Sequence, residues 1–314
     1  MNRVLVTGGA GFLGCHLCEA LVREPDNYVI ALDDLSTGKM ENLSSMMGMN
    51  RFEFIQWDVR QPLDLPVNQI YHAAAPASPK AYQLSPTSTT KTCMLGTMNM
   101  LELARKYSAK LLQFSTSEVY GNPLVHPQKE DYFGNVNPIG VRSCYDEGKR
   151  CAESLCFDYA REFGVRVKII RIFNTYGPRM DAADGRVVSN FITQAIQGKP
   201  ITIYGDGSQT RSFCYVDDMM QGILNMMNGT EDGFQGPVNL GNPEEITVAE
   251  LARLVKEKTG SSSELIFLPL PGDDPVQRRP DISRAIEKLN WKPKIPLHEG
   301  LEKTVRYFRG IVKS

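Results

Sequence analysis

Short apolar runs alternate with amphipathic stretches through the first half of the chain. Each run is rich in β-branched or aromatic residues and bounded by turn residues, which is typical of a buried strand. The predicted strands are Val4–Val6, Tyr28–Leu32, Phe52–Trp57, Gln69–His72, Leu111–Phe114 and Val165–Ile170. Between them, apolar positions at helical spacing predict a helix after Phe12, another from about Pro86 to Lys106, and a third through Tyr145 that stops at Gly164.

This alternation of strand and helix predicts an α/β fold, a Rossmann-type doubly wound parallel sheet. Beyond Asn174 the pattern loosens, Pro and Gly become frequent, and the predicted helices shorten. We therefore predict a sheet domain over residues 1–172 and, over residues 173–314, mainly a smaller C-terminal α/β domain that binds substrate. A later strand near 237–241 is expected to return to the sheet domain.

A glycine-rich turn joins the first predicted strand to the first helix. Gly8, Gly11 and Gly14 give the spacing G-x-x-G-x-x-G, and strand, glycine turn and helix together are the context of a dinucleotide fingerprint. The helix N-terminus offers free N–H groups and a positive dipole to a pyrophosphate. A glycine turn without a ligand is the alternative.

The second predicted strand ends at Asp33 and Asp34. An acidic residue at this distance from the glycines accepts hydrogen bonds from ribose hydroxyls and repels a 2′-phosphate, which favours NAD over NADP. Asp58 and Val59 are expected to face the adenine. The other residues predicted to line the cofactor site are Phe12, Leu13, Ser36, Thr37, Gly38, Ala73, Thr175 and Arg186.

Tyr145 and Lys149 are four residues apart and therefore share one face of a helix. A free tyrosine titrates near pH ~10, and a nearby fixed cation lowers that pKa, so the pair suits a general base for a hydroxyl group. The alternative is a surface lysine beside a half-buried tyrosine.

A polar cluster follows the strand that ends at Phe114. Thr116, Ser117 and Glu118 lie at the carboxyl edge of the predicted sheet, where ligands bind in such folds. Thr116 can donate a hydrogen bond to an oxygen that develops charge, and Glu118 can act as an acid or base. The alternative is a helix cap or turn.

Composition excludes several classes of function. The chain has 314 residues and a net charge of −1, which does not favour nucleic acid or an anionic membrane as a partner. No apolar run approaches the ~20 residues of a membrane span, and the first strand leaves no room for a signal peptide. Seven cysteines without a disulfide-like pattern fit a reducing cytosol. Cys15 and Cys18 resemble half of a metal site, but buried small hydrophobes are preferred and no metal is expected.

Longer motifs resemble the extended short-chain dehydrogenase/reductases and, within them, the UDP-glucuronate decarboxylase (UDP-xylose synthase) family. The resemblance covers nearly the whole chain. Its segments are VTGGAGFLG from Val6, STSEVYG from Ser115, GNVNPIGVRSCYDEGKR from Gly134, RIFNTYGPRM from Arg171, DGRVVSNF from Asp184, YGDGSQTRSFCYV from Tyr204, VNLGNPEE from Val238 and RRPDI from Arg278. The later segments are the ones specific to the decarboxylases.

The resemblance implies an NAD-dependent conversion of UDP-glucuronate to UDP-xylose. Tyr145 would take the proton from the sugar 4-hydroxyl as NAD accepts a hydride, with Lys149 and Thr116 in support. The resulting 4-ketone is β to the carboxylate, so carbon dioxide is lost readily. Glu118, Ser117, Asn174 and Arg278 are implied in that step, which also returns a proton to C5, and re-reduction of the ketone closes the cycle.

The same resemblance implies the substrate site. Arg211 would hold the diphosphate, since a guanidinium pairs with phosphate in a bidentate fashion. Asn190, Gln209, Tyr204 and Val188 are expected near the nucleotide, and Tyr82, Lys91, Asn174 and Arg278 near the sugar acid. A solvated turn is the alternative for Arg278.

Rival functions remain open on the sequence. An epimerase, or a decarboxylase that releases the 4-keto pentose, would use the same scaffold, whereas Ser117 disfavours a dehydratase, which has Asp at that position. A non-catalytic sensor need not keep Thr116, Tyr145 and Lys149. The family also implies a homodimer through the Pro86–Tyr107 and Tyr145 helices. Met94, Met98, Leu101 and Leu155 would supply its apolar surface, or would face the sheet.

Overall fold

The structure, a computed structural model, describes residues 1–269 and 277–313. Fourteen strands are found in these residues. They are β1 (Asn2–Thr7), β2 (Asn27–Asp33), β3 (Phe52–Gln56), β4 (Gln69–His72), β5 (Lys110–Thr116), β6 (Val167–Ile172), β7 (Thr175–Tyr176), β8 (Ile201–Tyr204), β9 (Thr210–Ser212), β10 (Cys214–Tyr215), β11 (Val238–Leu240), β12 (Glu245–Thr247), β13 (Leu265–Leu268) and β14 (Gln277–Arg278).

Ten α-helices occur in the same described ranges. They are α1 (Phe12–Val22), α2 (Pro79–Leu84), α3 (Pro86–Lys91), α4 (Thr97–Tyr107), α5 (Ser143–Phe163), α6 (Val187–Ile196), α7 (Val216–Asn228), α8 (Val248–Thr259), α9 (Ser283–Leu289) and α10 (Leu297–Ile311). Short 3₁₀ helices span Met40–Leu43 and Ser117–Tyr120, and a π-helical turn, Thr92–Gly96, joins α3 to α4.

Seven parallel strands form the central sheet in the order β3-β2-β1-β4-β5-β6-β11. Strand order reverses between β1 and β4, and this is where a doubly wound sheet opens a crevice for ligands. The predicted fold class is confirmed. The strand at Val238–Leu240 pairs with β6, so the chain returns to the central sheet after β7 to β10, α6 and α7 and before β12 to β14 and α8 to α10.

Both faces of the sheet are buried. Val4 and Val6 of β1 belong to one apolar cluster, and Leu5 to another, because successive side chains of a strand point to opposite faces. The first cluster includes Leu17 of α1 and Met219 of α7, and the second Met100 of α4 and Cys156 of α5. Helices cover both faces, as a parallel sheet requires.

Two predicted boundaries shift for local reasons. The strand expected from Val165 begins at Val167, because Gly164 ends α5 in the left-handed conformation and the Val165 amide donates to the carbonyl of Tyr159. The single helix expected from Pro86 contains the π-helical turn at Thr92–Gly96. Within the part of the chain that the structure describes, no helix is long and apolar enough to cross a membrane.

Candidate active site

The turn between β1 and α1 needs glycine at two positions. Gly8 has a φ of +69°, and a Cβ there would lie 3.0 Å from the Ala74 backbone. A Cβ at Gly14 would lie 2.0 Å from the Gly8 carbonyl oxygen. The turn therefore packs tightly under the first turn of α1, whose N–H groups follow Gly11. This geometry fits a dinucleotide pyrophosphate.

Asp33 ends β2 beside this turn and is buried. Its carboxylate accepts hydrogen bonds from the amides of Ala10, at 3.0 Å, and Leu35, at 2.9 Å. Burial raises the pKa of Asp33, and these two hydrogen bonds oppose that rise. A Cβ at Gly38 would lie 2.8 Å from both carboxylate oxygens. Because Gly38 has no side chain, space remains next to the carboxylate, which fits the ribose hydroxyls of a dinucleotide.

The remaining residues predicted for the cofactor occupy the same edge of the sheet. Asp58 and Val59 follow β3; Asp58 pairs with Arg60, with 2.6 Å between carboxylate and guanidinium, and Val59 is buried. The Ala73 amide donates to the Thr7 carbonyl at 3.2 Å. Asp34 accepts from the Ser36 amide and hydroxyl, and Phe12 and Leu13 open α1. Thr37 is exposed.

A buried histidine that the sequence did not single out lies below the glycine turn. The Thr7 hydroxyl accepts a hydrogen bond from the Ala74 amide at 3.2 Å and lies 2.7 Å from His72 Nδ1. A hydroxyl can accept a second hydrogen bond or donate its own proton, so either neutral tautomer of His72 is compatible with this contact. Burial, assisted by the Lys149 charge, lowers the pKa of His72 to about 3. Neutral His72 ties β4 to β1 where both strands end.

Tyr145, Lys149 and Thr116 come together as predicted from the sequence. The Thr116 hydroxyl is hydrogen-bonded to the Tyr145 phenol. Lys149 Nζ lies 6.0 Å from the centre of the Tyr145 ring and donates to the Phe114 carbonyl at 2.8 Å. Tyr82 stacks on Tyr145, with 5.1 Å between ring centres and 2° between planes. Both tyrosines and Lys149 are buried, so the surface-lysine alternative is wrong.

The pKa of Tyr145 differs from the sequence expectation. Burial raises it, and the hydrogen bond from Thr116 opposes the rise only in part. The expected lowering by Lys149 does not dominate, because that ammonium is itself buried, has a lowered pKa, and is fixed on a carbonyl rather than on the phenol. The residues alone therefore keep the proton on Tyr145, and a further positive charge is needed to release it.

Glu118 stands at the centre of a charged cluster beside this set. The Arg278 guanidinium pairs with one carboxylate oxygen of Glu118 and also donates to the Ser117 hydroxyl, at 3.2 Å, and the Gly121 carbonyl, at 2.9 Å. Arg278 is only 2% exposed, so the solvated-turn alternative for it is wrong. Thr116 also caps the short 3₁₀ helix by accepting from the Glu118 amide, so the cap interpretation is confirmed and the catalytic one stays a prediction.

Arg142 completes the cluster and was missed by the sequence argument. Its guanidinium lies 2.7 Å from the second carboxylate oxygen of Glu118 and 5.8 Å from the centre of the Tyr82 ring. Burial alone would raise the pKa of Glu118, but Arg278 and Arg142 together lower it to about 2. Position 142 precedes Tyr145 by three residues, and that helical spacing was the available signal.

Most of the predicted substrate residues lie beyond β6, together with Thr175 and Arg186, which were predicted for the cofactor. Asn174 and Thr175 follow Phe173 after the end of β6, and Arg186 and buried Val188 open α6, where Asn190 donates to the Gly185 carbonyl at 3.0 Å. Gln209 donates to the carbonyl of exposed Tyr204, and Arg211 to that of Thr210 at 2.9 Å. Arg211 on β9 is the register partner of Arg278 on β14. Lys91 is exposed at the end of α3.

Comparisons with known proteins show the family of the chain. The family described as the NAD dependent epimerase/dehydratase family matches residues 4–241. UDP-glucuronic acid decarboxylase 6 of Arabidopsis thaliana is 55% identical over 98% of this chain and 89% of its own length. UDP-glucuronic acid decarboxylase 1 of Danio rerio is 53% identical over 98% and 72%.

Solved structures show the same fold. UDP-glucuronic acid 4-epimerase from Bacillus cereus, in complex with UDP-glucuronic acid and NAD, is 30% identical with a TM-score of 0.91 and covers 98% of this chain and 99% of its own. UDP-glucose 4-epimerase from Thermotoga maritima is 32% identical with a TM-score of 0.89 over 99% and 100%. The chain therefore belongs to the NAD dependent epimerase/dehydratase family.

Proposed function

We propose that this chain converts UDP-glucuronate to UDP-xylose by NAD-dependent decarboxylation. The observation that carries the proposal is the cluster of Glu118, Arg278 and Arg142 next to Tyr145. An oxidation site shared with epimerases here adjoins two buried guanidiniums, which suit a sugar that carries a carboxylate. Relatives more than 50% identical over nearly the whole chain are UDP-glucuronic acid decarboxylases.

The first step is oxidation at C4 of the sugar. When bound, NAD would supply the acceptor for the C4 hydride, the hydride donor for the final reduction and a positive charge that favours the phenolate. Gly8, Gly11 and Gly14 give the dinucleotide room at the turn, and Asp33 holds its ribose. Tyr145 removes the proton from the 4-hydroxyl.

The second step is loss of carbon dioxide from the 4-keto acid. Electrons of the bond from C5 to the carboxylate move to C5 and delocalise into the ketone, giving an enolate. Thr116 and protonated Tyr145 stabilise the enolate oxygen by hydrogen bonds. Arg278 holds the carboxylate before it leaves. Asn174, which follows the end of β6, is the other residue that the family resemblance implies in this step.

Glu118 orients this step rather than donating a proton. The family resemblance implied that Glu118 and its neighbours handle both the carboxylate and the proton returned to C5. With two guanidiniums on its oxygens and a lowered pKa, Glu118 is ionised at neutral pH and is a poor acid. We assign it to holding Arg278 and a water molecule. That water gives a proton to C5 of the enolate and regains one from solvent, which restores the 4-ketone for the final reduction.

Incubation with UDP-glucuronate and NAD tests the proposal. Product identification by NMR, together with NADH absorbance, separates three outcomes. UDP-xylose without accumulated NADH supports the closed cycle. A ketone with stoichiometric NADH means that the intermediate is released, and recovery of UDP-galacturonate means 4-epimerisation.

Epimerisation is the second candidate because the B. cereus structure named above is a UDP-glucuronic acid 4-epimerase. That chemistry needs the 4-keto sugar to turn over in the site while its carboxylate stays attached. Arg278 and Arg142 pair with the two carboxylate oxygens of Glu118. This fixed carboxylate favours one orientation of the sugar, and therefore decarboxylation.

We also propose a homodimer. On the outer side of the helices, Met94, Leu95 and Met98 are 40%, 37% and 37% exposed. Leu101 is fully buried and Leu155 packs against the sheet core, so only part of the expected apolar surface is available. A cytoplasmic location fits the seven free thiols of the chain.

A further inference from the structure

Tyr120 is a fully buried tyrosine two residues after Glu118, in the 3₁₀ helix that follows β5. A phenol buried this far needs hydrogen-bond partners, and two are present. Its oxygen accepts from the Arg171 guanidinium at 3.0 Å, and its proton goes to the side-chain oxygen of Asn239 at 2.7 Å. Burial raises the pKa of Tyr120 to about 12, so the phenol keeps the proton that it donates.

The first partner, Arg171 on β6, joins Tyr120 to α5. Its guanidinium pairs with both carboxylate oxygens of Glu153, at 2.9 and 2.7 Å, a bidentate geometry that fixes both groups. The Ser115 hydroxyl donates to the same carboxylate. Glu153 is four residues after Lys149 on α5. The phenol of Tyr120 is therefore connected, through one largely buried ion pair, to the helix that carries Lys149.

The second partner, Asn239, lies on β11 and is fully buried. Its side-chain nitrogen donates to the carbonyls of Gln128, at 3.0 Å, and Asp281, at 3.1 Å. Asp281 is three residues after Arg278, in the segment that follows β14. Asn239 therefore connects the Tyr120 phenol to the part of the chain that brings Arg278 into the site.

The ring of Tyr120 makes contacts of its own. It packs against Phe173 and Tyr132, with 6.1 Å between ring centres in each pair, and the Arg171 guanidinium lies 4.9 Å from its centre. Phe173 directly precedes Asn174. Because these contacts involve the ring and not the hydroxyl, the ring holds its place when the oxygen is removed, and the hydroxyl can be tested alone.

The elements joined at this phenol differ in how much holds them without it. The oxidation residues lie on α5, a helix of 21 residues, and Lys149 is anchored on the Phe114 carbonyl. Ser117 and Glu118 lie on a 3₁₀ helix of four residues, and Arg278 lies on a strand of two. Elements this short depend on tertiary contacts for their position. Loss of the hydroxyl should therefore disturb the second group more than the first.

We propose that Tyr120 is a positioning residue for decarboxylation: its hydroxyl holds the 3₁₀ helix that carries Ser117 and Glu118 in place against Arg278. Tyr120 acts through these residues and not on the reacting atoms. The role rests on the proposed function for the identity of the step. It also gives β11 a part in that step, because Asn239 on this strand accepts the hydrogen bond of the phenol.

Tyr120→Phe removes the hydroxyl and keeps the ring. Tyr132→Phe is the matched control, because the Tyr132 ring belongs to the same stack while its hydroxyl accepts from the amide of exposed Leu124 at 3.0 Å. Both variants lose one oxygen atom from one phenol, so a difference between them comes from the partners of the Tyr120 hydroxyl.

Single-turnover kinetics of the NAD-loaded enzyme is the first measurement. After mixing with UDP-glucuronate, absorbance at 340 nm follows NADH, and released carbon dioxide follows the second step. For Tyr120→Phe we expect carbon dioxide release to slow on the order of 10-fold to 100-fold, with NADH persisting longer than in the wild type. Tyr132→Phe should behave as the wild type does.

UDP-xylose isolates the oxidation step, because it carries the 4-hydroxyl but no carboxylate. Its oxidation by the NAD-loaded enzyme transfers the C4 hydride to the cofactor and the hydroxyl proton to Tyr145, which gives the ketone and NADH. We expect the rate of this oxidation in Tyr120→Phe to stay close to that of the wild type. A merely structural role would slow both reactions alike.

Amide hydrogen exchange is the third measurement and needs no turnover. The Gly121 amide donates to the Glu118 carbonyl at 2.9 Å, so its exchange reports on the 3₁₀ helix. In Tyr120→Phe we expect exchange over residues 117–121 to be faster on the order of 10-fold. In Tyr132→Phe it should be unchanged.

Unchanged exchange over residues 117–121 in Tyr120→Phe would overturn the positioning role. Equal slowing of carbon dioxide release and of UDP-xylose oxidation would do so as well, since the hydroxyl would then support the fold in general, and so would equal effects in Tyr132→Phe. Failure of the wild type to release carbon dioxide would overturn the proposed function and with it the step assigned to Tyr120. The wild-type sample alone shows that outcome, so the two failures are told apart.

Discussion

Tyr145, the proposed base, is kept protonated by its own surroundings. Its ring is buried against Tyr82, and burial raises the pKa of the phenol while Thr116 opposes that rise. In the proposed mechanism its ionisation depends on the positive charge that the cofactor would bring. An arrangement of this kind keeps the residue inactive as a base until the site is complete.

Tyr145→Phe tests the phenol as the base by removing one oxygen atom. Removing the hydroxyl leaves the ring stack on Tyr82 intact, so we expect turnover to fall by about 10²-fold to 10⁴-fold while NAD still binds. Steady-state kinetics and NAD titration measure the two effects. Tyr159→Phe, which removes an exposed hydroxyl bonded to Glu102, is the control. Near-normal turnover in Tyr145→Phe would rule out the assigned base.

His72 should make stability depend on pH. Folded His72 stays neutral down to about pH 3, whereas the unfolded side chain takes up a proton below about 6.5. The unfolded state then binds more protons, so stability falls as the pH drops from 6.5 toward 3. By this linkage the contribution lost between pH 7.5 and pH 5 is about 2 kcal/mol.

His72→Asn removes that titration and keeps an acceptor near the Nδ1 position. Urea unfolding near pH 7.5 and near pH 5 should show a smaller difference between the two conditions in the variant than in the wild type. The same pH dependence in both proteins would mean that His72 is not responsible for it.

Single residues also show where sequence reasoning succeeds and where it stops. Tyr145 and Lys149 were identifiable because their relation is local, four positions on one helix. The pairing of Glu118 with Arg278 joins residues 160 positions apart, and only the family resemblance pointed to it. The sequence did not identify His72, because its partner Thr7 comes near it only through the pairing of β4 with β1.

At the scale of elements, the site depends on short connections at strand ends. Six strands were predicted from apolar runs. Five of them are mostly buried, and the edge strand β3 is only partly buried. The strands of the smaller lobe are only two to four residues long and carry no periodicity that distinguishes them from loops. This is why that lobe could be described only as a substrate domain.

The junction of β1 and α1 should not tolerate a methyl group. Gly14→Ala places a Cβ 2.0 Å from the Gly8 carbonyl oxygen, so the turn must open. We expect a stability loss of about 1 to 3 kcal/mol and a large loss of NAD affinity, measured by thermal unfolding and titration.

Gly310→Ala is the control, since a Cβ there meets nothing within 4 Å. It should leave NAD binding unchanged and slightly stabilise α10. Equal NAD affinity in the two variants would contradict a tight turn.

A second contact between elements holds residues 279–281, which directly follow Arg278. Buried Gln128 accepts from the Arg279 amide at 2.8 Å through its side chain, and its backbone pairs with Arg279 and Asp281 at 2.9 and 2.8 Å. These bonds fix residues 279–281 and so place Arg278 against Glu118.

Gln128→Ala should loosen this contact. We expect kcat to fall about 10-fold, with a stability loss of about 1 to 3 kcal/mol from the unpaired amide and unchanged affinity for UDP. Gln128→Glu keeps the acceptor for the Arg279 amide and should recover part of the activity. If stability falls in Gln128→Ala while kcat does not, the contact is structural only.

At the scale of the whole molecule, the parallel sheet supplies a rigid edge and the smaller lobe supplies the specific contacts. In the proposed mechanism, oxidation uses residues at the ends of β1, β2 and β5 and on α5. Decarboxylation would add Arg278 from β14, which is not part of the central sheet. One scaffold can therefore serve related reactions when only the second set of residues changes.

The dimer proposed above is testable at this scale. Met98→Glu places a charge in the exposed apolar patch of α4, so we expect a dimer to dissociate and its sedimentation to shift to that of a monomer. Met47→Glu, at a residue that is 50% exposed and outside α4, is the control. Unchanged sedimentation of Met98→Glu would place the interface elsewhere.

The return of the chain to the sheet at β11 has a consequence for cutting the protein into parts. A fragment that stopped at residue 172 would contain the glycine turn and the Thr–Tyr–Lys set, but β6 would become an open edge with unpaired backbone groups. Open edges of this kind recruit other chains and aggregate. An independent cofactor-binding unit would have to be made by grafting Val238–Leu240 back onto β6, for example by circular permutation, rather than by simple truncation.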